Sequence, residues 1–184
     1  MEQNRLRYLL DHHLPSVGTR VWSTWPGVTE SVAVTGNFDY IEFLAEYAPF
    51  SQYDLENICR AAELHGMATM IKLDFQNRAY VAQKAIGSGF QAVMLTDHKT
   101  AEEVRSSICL LRPDTVDDGG RFGYPNRRFI GFQPYAKQVD HANLVRETVI
   151  AVMIEKKEAM DNIEEICSVP GVDMVQFGPS DYCM

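Results

Sequence analysis

Glu155 and Asp181 are two acids whose placement could support chemistry. The chain from residue 149 onward reads VIAVMIEKKEAMDNIEEICSVPGVDMVQFGPSDYCM. It parses as strand, turn, helix, turn, strand and a Gly-Pro-Ser-Asp loop. Glu155 closes the first of these strands and Asp181 follows the second. Two carboxylates at the same end of neighbouring parallel strands can share one hard divalent cation, with open positions left for water and a chelating 2-oxo acid. Such a cation acts as a Lewis acid on an enolate formed as a carbon–carbon bond breaks or forms. Lys72, inside the apolar run MATMIKL, is a candidate for holding the substrate carboxylate. An unpaired ammonium is costly to bury, although a lysine stem can also carry its charge to the surface. Gly178 lets the Gly178, Pro179 and Ser180 backbone approach a ligand closely. His98, beside Asp97, has the chemistry of an acid/base group; it equally fits the flank of a helix starting near Thr100. Taken singly, Glu155 and Asp181 also read as solvated turn residues. His65 and His141 lie near helix ends and are expected to face water, as are His12 and His13.

These residues need elements to bring them together. Residues 2–14 read as a short amphipathic helix, so residues 1–18 form a helical lead-in and residues 19–184 one barrel domain. Strands are expected at 19–24, 38–44, 67–73, 90–96, 149–154 and 172–177, with a short one at 129–132. Helices fall between them, including one at 136–147 and one at 157–167. Thr100 with Glu103 forms a capping box. The polar loop at 113–128 is long for a plain connection. Several strands are continuous apolar runs, as expected of parallel strands covered on both faces. Regular alternation of about seven strands with helices predicts an α/β fold, a (β/α)8 TIM barrel that is incomplete, lacking its final strand and helix. An open doubly wound sheet is the alternative, but no Gly-rich phosphate loop follows the first strand.

The 184 residues suffice for one core, and a formal charge of −8 (17 basic, 25 acidic residues) disfavours nucleic acid and anionic membrane partners. The four cysteines form no C-x-x-C pair. Cys59, Cys109 and Cys167 sit at apolar helical positions, so buried reduced thiols and a cytoplasmic location are expected. The N-terminus has no apolar signal-peptide core.

The segment MIEKKEAMDNIEEICSVPGVDMVQFGPSDY resembles the HpcH/HpaI aldolase/citrate lyase family, with support upstream from FDYIEFLAEYAPFSQYDL, GFQAVMLTDHKTAEEVR and GGRFGY. The resemblance implies a metal-dependent 2-oxo acid aldolase on a phosphoenolpyruvate/pyruvate-type barrel. It implies Glu155 and Asp181 as ligands of Mg2+ or Mn2+, with Co2+ a further candidate. Gly178, Pro179 and Ser180 would lie around the pyruvate-like group. It also implies a homo-oligomer, trimer or hexamer, in the full-length form, and a C-terminal truncation here. Three departures stand out. The family's Asp-Gly-Glu-His-Ala-Pro stretch reads Leu44-Ala45-Glu46-Tyr47-Ala48-Pro49; its carboxylate-binding Arg is Lys72; a usual Gln is Met153. Lys72 keeps the charge but not the bidentate fork. Tyr47 or His98 would then move the proton. The expected function is carbon–carbon lysis of 2-oxo or hydroxy acids. The alternatives are an oxo-acid decarboxylase on the same barrel and a degenerate, non-catalytic barrel.

Overall fold

A computed structural model describes residues 4–124, 128–132 and 137–184. Six strands, β1 Gly18–Val21, β2 Tyr40–Leu44, β3 Ala68–Leu73, β4 Ala92–Leu95, β5 Val149–Ile154 and β6 Met174–Phe177, form one sheet in chain order. Every neighbouring pair is parallel. Consecutive parallel strands with helices between them form an arc of a (β/α) barrel. The expected incomplete barrel is therefore present, with six strands among the described residues.

Why these segments become strands is clearest in β3, β4 and β5, where every residue is buried. Alternate side chains supply two cores. One face packs against the outer helices through Ile71, Leu73, Val93, Leu95, Ile150 and Val152. The other lines the barrel interior through Met70, Ala92, Met94, Ala151 and Met153. Each fully buried Met or Leu contributes about 2 kcal/mol of transfer free energy.

Helix α1, Arg5–Asp11, plugs one end of the interior. Its Leu6 joins the inner core. The amide of its N-cap, Asn4, donates to the carbonyls of Gln91 and Glu147, just before β4 and β5. Arg7 forms a two-pronged pair with Asp173, just before β6, at 2.8 and 2.7 Å. The N-terminal ends of the strands are thus closed, and the C-terminal ends remain for a site.

The other helices are α2 Pro26–Ala33, α3 Gln52–Glu63, α4 Tyr80–Ser88, α5 Ala101–Leu111, α6 Gln138–Arg146, α7 Lys157–Asp161, α8 Ile163–Cys167 and α9 Pro179–Tyr182. The capping box at Thr100 and Glu103 forms as expected and fixes the start of α5.

Several expectations are corrected. The strand at 129–132 is instead a 3-10 helix, Arg128–Ile130, so the strand count is six. The helix at 157–167 is interrupted at Asn162, whose φ of −104° and ψ of 15° leave the helical region. His141 is buried: its Nε2 lies 3.2 Å from the Gly123 carbonyl, and its ring meets Phe122 and Tyr124. Of the cysteines placed at apolar positions, only Cys59 is buried; Cys109 is half-buried and Cys167 exposed. Residues 2–3, the 125–127 part of the long loop and residue 136 at the expected helix start lie outside the described residues.

Candidate active site

A cavity of about 290 Å3 opens at the C-terminal ends of the strands. Lys72, Tyr47, Glu155 and Asp181 line it, together with Gly178, Pro179 and Ser180. Seven of the eight residues singled out from the sequence thus meet at one place. They come from β2, β3, β5 and β6, because each lies at or just past a strand's last residues.

Glu155 follows β5 directly and is only 2% exposed. Its Oε1 accepts a hydrogen bond from the Asp97 backbone N–H at 2.9 Å. Asp97 presents that N–H from a left-handed conformation, φ 62°, which Asp tolerates better than most residues. Burial pushes the Glu155 carboxyl above the usual carboxylate range, against the pull of the Asp97 N–H and of Lys72. A bound cation would favour the ionised form that burial penalises.

Gly178 packs against this acid. A Cβ there would stand 2.7 Å from Glu155 Cβ and 3.2 Å from both Glu155 Oε2 and Met153 Sδ. The following residues turn into α9, with Pro179 in its first turn, and this carries Asp181 back to the cavity. Lys156 Nζ lies 2.9 Å from Asp97 Oδ1 and 4.0 Å from Asp181 Oδ2.

Lys72 projects to the interior side of β3 and is 6% exposed. Glu46 pairs with its ammonium, and the Tyr47 ring centroid lies 4.9 Å away. Burial lowers the Lys72 pKa, but the hydrogen bond and charge of Glu46 outweigh it, so the pKa ends above its ordinary value. Lys72 therefore stays charged. Burial likewise raises the Tyr47 phenol, partly offset by Lys72, so Tyr47 holds its proton at neutral pH.

His98 is the exception. Its ring is fully buried. Its Nδ1 lies 2.6 Å from the Thr96 carbonyl and its Nε2 2.7 Å from Ser107 Oγ on α5. Phe75 meets it at 5.0 Å between ring centroids. Burial lowers its pKa and keeps it neutral. The structure does not bring His98, expected as an acid/base group, to the cavity: the side chain after β4 turns into the helix layer, bonded to Thr96 and Ser107.

The donor set fits a hard divalent cation in an open site. Glu155 and Asp181 both line one cavity, and their carboxylate oxygens are of the kind that would hold such a cation. Among the described residues, no third His, Cys, Asp or Glu completes a cluster. The remaining ligands would therefore come from water and from the substrate.

Sequence reasoning missed Arg20 and Trp22, which also line the cavity. Their signal was the period-2 spacing of Arg20, on β1, and Trp22, just past its end, at the C-terminal edge of the first strand. Arg20 Nε donates to buried Glu42 at 3.1 Å. It also missed Glu46 as the partner of Lys72, and the Asp97–Lys156 pair. No described helix is long and apolar enough to cross a membrane.

Comparison with known proteins gives a consistent picture. The sequence model for "HpcH/HpaI aldolase/citrate lyase" matches residues 29–184. A 2-dehydro-3,6-dideoxy-6-sulfogluconate aldolase of Pseudomonas putida is 26% identical over 176 residues, 94% of this chain and 66% of the relative. A hydroxypyruvate/pyruvate aldolase of Sagittula stellata is 26% identical over 184 residues, 98% of this chain and 69% of the relative. The chain therefore spans about two thirds of the length of these curated relatives. The crystal structure of an HpcH/HpaI aldolase from Desulfitobacterium hafniense superposes with a TM-score of 0.85 at 23% identity, covering 96% of this chain and 67% of that one. That likeness establishes the fold.

Proposed function

Because this chain belongs to the HpcH/HpaI aldolase/citrate lyase family, we propose that it is a metal-dependent carbon–carbon lyase acting on 2-oxo or hydroxy acids through a pyruvate-type enolate. The single observation that carries the reading is the convergence of Glu155, Asp181 and Lys72 on one cavity at the C-terminal ends of the strands. The activities named for the relatives, both aldolases, support the same class.

Glu155 and Asp181 would hold Mg2+, Mn2+ or Co2+. When bound, such a cation supplies Lewis acidity toward negative charge on the oxo oxygen. The chain's own groups do the rest. Lys72, kept charged by Glu46, offers its remaining N–H donors to the substrate carboxylate. Gly178, lacking a side chain, lets the Gly178, Pro179 and Ser180 backbone lie against the substrate. In the lysis direction the substrate hydroxyl gives up its proton to solvent as the aldehyde leaves, and Tyr47, protonated and beside Lys72, is placed to deliver one from its phenol oxygen to the enolate carbon that remains. Its exposure of 59% leaves room for an incoming acceptor.

One feature favours a second reading, an oxo-acid decarboxylase. Among the described residues lining the cavity there is no histidine, and the only carboxylates are the two proposed ligands. Decarboxylation needs no general base to form the enolate. The substrate is proposed as a small oxo acid, the location as the cytoplasm, and the full-length assembly as a trimer or hexamer, which light scattering would check.

The test compares pyruvate–aldehyde condensation with oxaloacetate decarboxylation, in the presence of Mn2+. The aldolase reading expects condensation that is lost in E155Q and K72M. Decarboxylation without condensation would move the assignment to the second reading. Neither activity, with no pyruvate binding, would overturn both.

A further inference from the structure

We infer that Asp97 is a positioning residue with two separate tasks: its backbone N–H holds the Glu155 carboxylate, and its side chain holds Lys156 away from Asp181. The inference rests on the proposal that Glu155 and Asp181 bind the metal.

The first task follows from backbone geometry. Asp97 sits at φ 62°, one of three non-glycine residues described with positive φ. That conformation aims its N–H at Glu155 Oε1, 2.9 Å away. The turn is pinned from behind by buried His98, bonded to Thr96 and Ser107, and by the Thr96 hydroxyl, which donates to the Leu73 carbonyl at 2.7 Å. A residue that resists the left-handed region would swing the donor away from the acid.

The second task follows from charge placement. Lys156 is adjacent to Glu155 in sequence, and its ammonium reaches both Asp97, at 2.9 Å, and Asp181, at 4.0 Å. All three side chains are about one-third exposed. An ammonium in full contact with Asp181 would occupy the anionic charge that a divalent cation needs. Asp97 takes the shorter bond and so keeps Lys156 from closing on Asp181. This pair was not among the residues that the family resemblance singled out. It lies where the sequence alone suggested an Asp97–His98 acid/base pair.

The test is Mn2+ affinity, read by the loss of the free-ion electron paramagnetic resonance signal in the intact protein. D97N tolerates the left-handed turn but loses the charge that restrains Lys156. It is expected to bind Mn2+ about two- to fivefold more weakly, a range set by a partly exposed ion pair. K156M alone is expected to bind at least as tightly as wild type, and D97N/K156M to recover wild-type affinity. D97V, which disfavours the left-handed turn, is expected to stay weak even when combined with K156M. D97G, which accepts it, should be rescued by K156M as D97N is. Weaker binding by K156M, or no rescue of D97N by K156M, overturns the charge-holding task. Equal affinity of D97V/K156M and D97G/K156M overturns the backbone task. E155Q and D181N are measured alongside. If neither weakens Mn2+ binding, the underlying metal reading fails, and the inference with it.

Discussion

Replacing Gly178 with alanine adds one methyl group to the cavity wall and should cost both stability and metal affinity. The Gly178 φ of −106° is ordinary for any residue, so the effect is steric rather than conformational. The added Cβ would stand 2.7 Å from Glu155 Cβ, inside any real carbon–carbon contact. Met153 Sδ, at 3.2 Å, can swing aside because its thioether is flexible. Glu155 Cβ is fixed to β5 and cannot. Either the β6 end or the Glu155 side chain must move. Overpacking of this kind costs about 1–3 kcal/mol, which for a chain of this size lowers Tm by roughly 3–8 °C. Displacement of the carboxylate should weaken Mn2+ binding about tenfold, equivalent to ~1.4 kcal/mol. Gly123 meets no heavy atom within 4 Å of an added Cβ, so G123A serves as the matched control. Calorimetry and Mn2+ titration of both variants decide the matter. If G178A matches G123A in Tm and affinity, Gly178 does not brace Glu155.

Other substitutions probe the surrounding groups. K72M strands the carboxylate of Glu46, whose side chain is 11% exposed, and should destabilise the fold by about 3–5 kcal/mol in urea denaturation, with K72M/E46M recovering most of the loss. H98F should lose about 2–3 kcal/mol through the buried polar partners it leaves behind at Thr96 and Ser107, while activity per folded molecule keeps the wild-type pH profile. Burial depresses the His98 pKa below its ordinary 6.5, so its contribution to wild-type stability is full above that pH. It is lost as pH falls toward the folded value, a slope that denaturation should show in wild type and not in H98F. The Cys59 thiol is pushed up to about 12 by burial and should resist thiol reagents until unfolding, whereas exposed Cys167 and Cys183 should react at once.

How far the chain could be read in advance depended on whether local pattern decided the outcome. β3, β4 and β5 are mostly apolar runs set between helical patterns, which suits parallel strands buried on both faces. Glu155 and Asp181 stood at strand ends, where the barrel's geometry alone brings side chains together. The run at 129–132 has no period to tell strand from helix and no regular alternation of elements around it, and it forms the 3-10 helix Arg128–Ile130. His98 lies apart from the cavity for a different reason. Its chemistry suggested catalysis, but direction is set by the turn at Asp97, whose positive φ sends the next side chain outward. The Lys72–Glu46 and Lys156–Asp97 pairs join separate strands and loops, so no spacing rule could find them. Glu42 could have been found: an acid within the run YIEFL, on the same face as Tyr40 and Leu44, is an interior charge that requires a partner, and Arg20 is directly opposite it across β1 and β2.

The most direct test of the account is a Mn2+ titration of wild type, E155Q and D181N, followed by addition of pyruvate. The account predicts one Mn2+ per chain, affinity reduced by at least about tenfold in each variant, and a change in Mn2+-induced water-proton relaxation when pyruvate is added to wild type alone. Unchanged Mn2+ affinity in both variants would contradict it.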